Sequence, residues 1–129
     1  MTIKTQFTKT TLPRIQFEVR DSSGIQTDVV VSLEWDPYYL CPCSATEGGE
    51  LGPNKITWRN QTIPAEYSVS FACKRAGTAN TTCRADGGSR DSSLARIACP
   101  SKGDKPSAYK CGEAPMDQVS LESECQDSD

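Results

Sequence analysis

Ile15, Phe17 and Val19 alternate with Arg14, Gln16, Glu18 and Arg20, and no other feature constrains the fold as tightly. Successive side chains of a strand point to opposite faces, so such a row is apolar on one side and polar on the other. A helix would instead need apolar residues three and four positions apart, and no stretch of useful length offers them. The alternation returns in "IQTDVVVSLEW", with Ile25, Thr27, Val29, Val31, Leu33 and Trp35 on one face. It returns again in "AEYSVSFAC", where Tyr67, Val69, Phe71 and Cys73 oppose Glu66, Ser68 and Ser70. Between the first two runs, "DSSG" supplies Asp21 and Ser22 to bond the backbone and Gly24 for a left-handed position, which predicts a hairpin. "ITWRNQTI" reads as a further strand, with shorter ones at "SLARIAC" and "SAYKC", while "VSLESEC" fits a strand or a helical turn. Ile3, Thr5 and Phe7 share a face, so residues 1–10 form another strand or an arm. The connections, residues 44–55 among them, are rich in Gly, Ser, Asn, Asp and Pro. The prediction is an all-β single domain over residues 1–129, a disulfide-stapled β-sandwich or small β-barrel.

The need for staples follows from the core. Only 36% of the residues are hydrophobic and nine are aromatic, against seven cysteines. A small core of that kind is reinforced by disulfides in an oxidising compartment. Histidine is absent, which removes serine–histidine and cysteine–histidine catalysis, histidine-ligated zinc and an imidazole pH switch. No run of apolar residues reaches membrane-spanning length, so no membrane insertion is expected. The start "MTIKTQFTKTTLPR" has no apolar stretch of a signal peptide, so a secreted form would have had its signal removed.

Cys41 and Cys43 stand one proline apart in "YYLCPCSATEGGELGPNK". A bond between them is sterically poor, and Pro42 stiffens the link. A zinc site would want a second paired knuckle, and redox chemistry a C-x-x-C opening a helix; neither is present. Two structural cysteines with separate fates remain. "FACKRAGTANTTC" and "IACPSKGDKPSAYKC" look like two copies of one unit, spaced Cys73-x9-Cys83 and Cys99-x11-Cys111. Each first cysteine ends an inward row and each intervening stretch is turn-like, so the expected bridges are Cys73–Cys83 and Cys99–Cys111. Cys125 would take one of Cys41 and Cys43, leaving the other as the odd thiol, either free or bridging two chains.

"NQT" at Asn60 and "NTT" at Asn80 are glycosylation sequons, the second in an expected loop. With the cysteines they point to a secreted, extracellular protein. "KGD" at Lys102 to Asp104 resembles the Lys-Gly-Asp tip of some disintegrins; a plain polar turn is the competing reading. Tyr38 and Tyr39, next to the core residue Trp35, could stack on a sugar or serve as a protein hot spot. Glu34 and Asp36 share the polar side of a strand, about 7 Å apart, a spacing that many exposed acidic pairs share. No catalytic constellation, metal site or cofactor is implied, and the expectation is a non-enzyme.

Charge is uneven. Residues 55–110 hold ten bases against four acids, while residues 112–129 form an acidic C-terminal segment with six acids and no base. The bases are scattered, which argues against a nucleic-acid partner and for a tail near its own basic surface.

The profile "CPC…FAC…TTC…IAC…YKC…SEC" over residues 41–125, with Ser/Thr/Gly loops between, resembles the small secreted cysteine-rich effectors or elicitors of filamentous fungi. The resemblance implies binding of a protein partner, a host receptor or a hydrolase, and in some members a homodimer. The alternatives are a secreted inhibitor of a protease or glycosidase and a carbohydrate-binding module using Tyr38 and Tyr39.

Overall fold

In the computed structural model, which describes residues 2–11 and 13–121, the alternating rows become two five-stranded antiparallel sheets packed as a β-sandwich. One sheet has the order β1 (Ile3–Thr11), β2 (Arg14–Asp21), β7 (Ala65–Cys73), β4 (Leu40–Ala45), β10 (Val119–Ser120). The other has β5 (Glu50–Leu51), β6 (Lys55–Ile63), β3 (Gln26–Trp35), β8 (Gly77–Asp86), β9 (Arg90–Cys99). No α-helix occurs among the described residues, and "SAYKC", expected as a strand, begins with a short 3-10 turn over Pro106–Tyr109.

The apolar rows meet between the sheets. Ile15, Phe17 and Val19 from β2 and Val31, Leu33 and Trp58 of the other sheet are all fully buried, and Phe17 meets Trp58 edge-on at 6.2 Å between centroids. Phe17 stacks on Tyr67 at 5.5 Å between centroids, and Trp58 packs against Tyr67 at 4.9 Å. Trp35 sits edge-on to Phe71 at 5.4 Å, in the core as expected. Polar tips inside this layer are satisfied: Trp58 Nε1 donates to the Thr46 carbonyl at 3.0 Å, and the Tyr67 hydroxyl to Gln61 at 2.8 Å. Burial pushes the Tyr67 hydroxyl up to about 12.

The expected hairpin of β2 with β3 is not formed. Asp21 Oδ1 accepts from the Ser23 amide (2.8 Å) and hydroxyl (2.6 Å), and Gly24 takes φ +113°, so the tight turn exists. It carries the chain from one sheet to the other. β2 pairs with β1 and β7, and β3 with β6 and β8. Two strands with one apolar face each bury the same residues whether they lie edge to edge or face to face, so their alternation does not choose between these arrangements. The β3 row also starts late: Ile25 and Thr27 are exposed, because Asp28 at φ +57° breaks the phase before Val29.

One strand lies where a loop was expected. β8 runs through "GTANTTCRAD" with Ala79, Thr81, Cys83 and Ala85 inward. Its inward row is small or hydroxylated, so hydropathy alternates weakly even though the side chains do. The Cys-Pro-Cys stretch lies within β4. Pro42 stands opposite Phe71 of β7, where the ladder register shifts between Pro42 and Ser44, and proline is found at such bulges.

Candidate functional site

The ends of β7 and β9 and the starts of β2, β4 and β8 converge at one end of the sandwich. Cys73 and Cys99 close the inward rows of opposite sheets, and they are joined to each other with Cα atoms 5.9 Å apart. Cys43 of β4 bonds Cys111, with Cα atoms 5.5 Å apart. The expected Cys73–Cys83 and Cys99–Cys111 bridges are therefore not made. Extended chain rises about 3.3 Å per residue, and β8 carries Cys83 well away from the end where Cys73 lies. The odd cysteine among the described residues is Cys83, buried in the core, and not Cys41 or Cys43. Cys41 is disulfide-bonded; the expected bridge to Cys125 lies outside the described residues. These bridges fit an oxidising compartment.

The bonds tie the segment after β9 down at both ends, Cys99 to β7 and Cys111 to β4. Between them the Ser101 carbonyl accepts from the Asp104 and Lys105 amides (3.0 and 3.1 Å), which folds a tight turn. Lys102, Gly103 and Asp104 stand exposed at its tip. Tyr109 and Ala108 are buried, and the Tyr109 hydroxyl donates to the Pro100 carbonyl at 2.8 Å, stitching the loop's two arms together. The loop is thus framed by disulfides, though by two that anchor it to the sheet and not by one across its own neck.

Beside it lies the β7–β8 loop. Arg75 stands 4.0 Å over the Tyr38 ring and donates to the Tyr38 carbonyl, and Lys74 Nζ donates to the Pro37 carbonyl at 3.0 Å. Tyr38 is 58% exposed; Tyr39 is half-buried against Gly77, where a Cβ would come within 2.5 Å of the ring. The two tyrosine rings meet edge to face at 89°. They do not form the coplanar platform that sugar stacking uses, and one face of Tyr38 is taken by Arg75. Glu34 pairs with Arg84 at 3.9 Å, and the Asp36 carboxylate accepts from the Tyr38 amide at 3.0 Å. Both carboxylates thus have structural partners. Asn60 and Asn80 are exposed, but on strands: Asn60 in a bulge of β6 at φ +55°, and Asn80 on β8 opposite Arg96, not in the expected loop. Among the described residues no group of His, Cys, Asp and Glu is placed to hold a metal ion.

Of three further arrangements, the first had only a charge signal in the sequence and the other two had none. Residues 112–118 cover the outer face of the first sheet, where Gln118 bonds Ser44, Ser70 (2.8 Å) and Ser68 (2.9 Å), all buried. Arg14 pairs with Asp117 on the same strap. Second, β1 and β9, edge strands of opposite sheets, run the same way side by side, held by side chains. The Ile3 amide donates to Ser89 Oγ (2.8 Å), and the Thr5 amide and hydroxyl to Asp91 (2.7 and 3.0 Å). Ser93 Oγ donates to the Thr5 carbonyl at 2.8 Å. Partial burial pushes the Asp91 carboxyl up, but the two Thr5 bonds, together with the Ser92 amide and the charge of Lys4, outweigh it and hold the group below its ordinary value. Third, farther along, the two strands part around a groove of about 340 Å³ between Thr10 and Thr11 on one side and Ile97 and Ala98 on the other.

The fold and this end define an all-β, disulfide-linked sandwich that displays a tethered loop. No protein-family model matches the chain, no curated protein matches it, and no solved structure matches it.

Proposed function

We propose that the chain is a secreted, non-enzymatic recognition protein of effector or elicitor type, which binds a protein partner through the loop of residues 100–107. The observation that carries this reading is the presentation of the loop: an exposed Lys102–Gly103–Asp104 tip on a base fixed by Cys73–Cys99, Cys43–Cys111 and the Tyr109 hydroxyl. Fixing a loop before binding removes ordering cost from the association, which favours recognition. The cysteine profile and the sequons at Asn60 and Asn80 support export, with glycans at those exposed amides; a mass shift removed by a peptide N-glycosidase is expected on the exported chain.

The test applies the purified chain, and a Lys102→Ala/Asp104→Ala variant, to leaf tissue with the oxidative burst as readout. The response should be lost with the tip variant. An equal response from the variant, or none from either protein, counts against the reading. The same tethered loop favours a second reading, a hydrolase inhibitor, since inhibitory loops are rigid and exposed. It predicts inhibition of a protease or glycosidase that disappears when residues 100–107 are nicked.

A further inference from the structure

The β1–β9 groove does not end at Ala98. Lys105 and Ala108 line both it and a second hollow of about 510 Å³, which reaches Pro13, Lys110 and Gly112. The two form one path along the tethered end of the sandwich. Its first part lies beyond the Thr5–Ser93 contacts, between two strands that pair in ladders, among the described residues, with β2 and with β8 alone. Unpaired edges of that kind accept an added strand, whose main chain supplies the bonds. The second part is mostly apolar in its lining and carries Lys105 and Lys110, while among the described residues no carboxylate lines either part. The nearest acids by sequence are Asp104, at the exposed loop tip, and Glu113, on the neighbouring strap.

We infer that this path receives an extended, acidic segment of a partner protein. An extended backbone satisfies the two strand edges, its carboxylates answer Lys105 and Lys110, and alternate apolar side chains fill the hollow past Ala108. A sulfated polysaccharide would satisfy the lysines but has neither amides for the edges nor apolar groups for the floor. The inference goes beyond the loop-tip reading: Lys105 belongs to the same loop, but the strand edges, Lys110 and the apolar floor do not, and the tip variant below tells the two apart.

The experiment uses the full chain and a fluorescein-labelled, acetylated octapeptide of alternating glutamate and valine, followed by fluorescence anisotropy. Saturable binding that weakens as ionic strength rises is expected. Lys105→Glu/Lys110→Glu should weaken it by about tenfold or more, while Lys55→Glu, an exposed reversal on β6 far across the other sheet, leaves it unchanged. The same peptide N-methylated at alternate residues should bind far less, because it cannot pair with a strand edge. Lys102→Ala/Asp104→Ala should bind as the parent does; loss of binding there would move the site to the loop tip and overturn the groove. No saturable binding, or equal binding by the Lys105/Lys110 variant or the N-methylated peptide, overturns it too. So does a sulfated dextran that binds with the same lysine dependence when the peptide does not.

Discussion

Asp91 and Cys83 show how single side chains hold the two sheets together on their β1–β9 side. Asp91 stands in for the ladder that β1 and β9 lack, taking both hydrogen bonds that Thr5 offers. Because its folded carboxyl lies below the ordinary 3.8, its stabilisation is present at neutral pH. That stabilisation is lost as pH falls below about 4, through the lowered folded value. Asp91→Asn should therefore cost about 1 kcal/mol at pH 7, discounted for solvent exposure. Urea denaturation should show the difference shrinking toward pH 3. Under the same seam lies the Cys83 thiol, which burial pushes up in pKa. It should react with a thiol reagent only slowly in the native protein, and several-fold faster in Asp91→Asn, as local opening uncovers it. Equal labelling rates in the two proteins would show that the seam does not guard the thiol.

Among the elements, the strap of residues 112–118 and the disulfide-tied loop matter most for what the surface presents. Gln118 brings one amide to three buried serine hydroxyls, Ser44, Ser68 and Ser70. Gln118→Ala leaves them without it and should destabilise by about 1–3 kcal/mol, with faster amide exchange in β10. A denaturation midpoint equal to that of the parent would mean that water replaces the amide at no cost. The Cys73–Cys99 bridge closes 26 residues of sequence separation and locks one sheet to the other. Replacing both cysteines by alanine should cost about 3–4 kcal/mol from chain entropy alone, read as a lowered melting temperature. The same variant should loosen residues 100–107 to proteolysis, since one of the loop's two anchors is gone.

At the scale of the whole molecule, the odd thiol is enclosed and the bonded cysteines gather at one end. The chain should therefore run as a monomer on a denaturing, non-reducing gel; a dimer band that reductant removes would show that Cys83 becomes accessible before the sheets close. The all-β class, the inward faces of β2 and β7, the place of Trp35 in the core and the presence of disulfides were legible in the chain itself. Each of these follows from local alternation, or from the ratio of apolar residues to cysteines. Which strands share a sheet was settled only by long-range packing. The "DSSG" turn is compatible with a hairpin or a crossing, and the two bury the same residues. That choice in turn set the cysteine pairing, because Cys73 and Cys99 end facing rows while the small-residue row of β8 carries Cys83 out of reach. The candidate site was half legible. Lys102 and Asp104 stood out as a loop tip, because Gly and Pro mark a turn. The groove at Thr10, Ile97 and Lys105 did not, because it is formed by edges of opposite sheets, and distance along the chain carries no sign of which edges will meet.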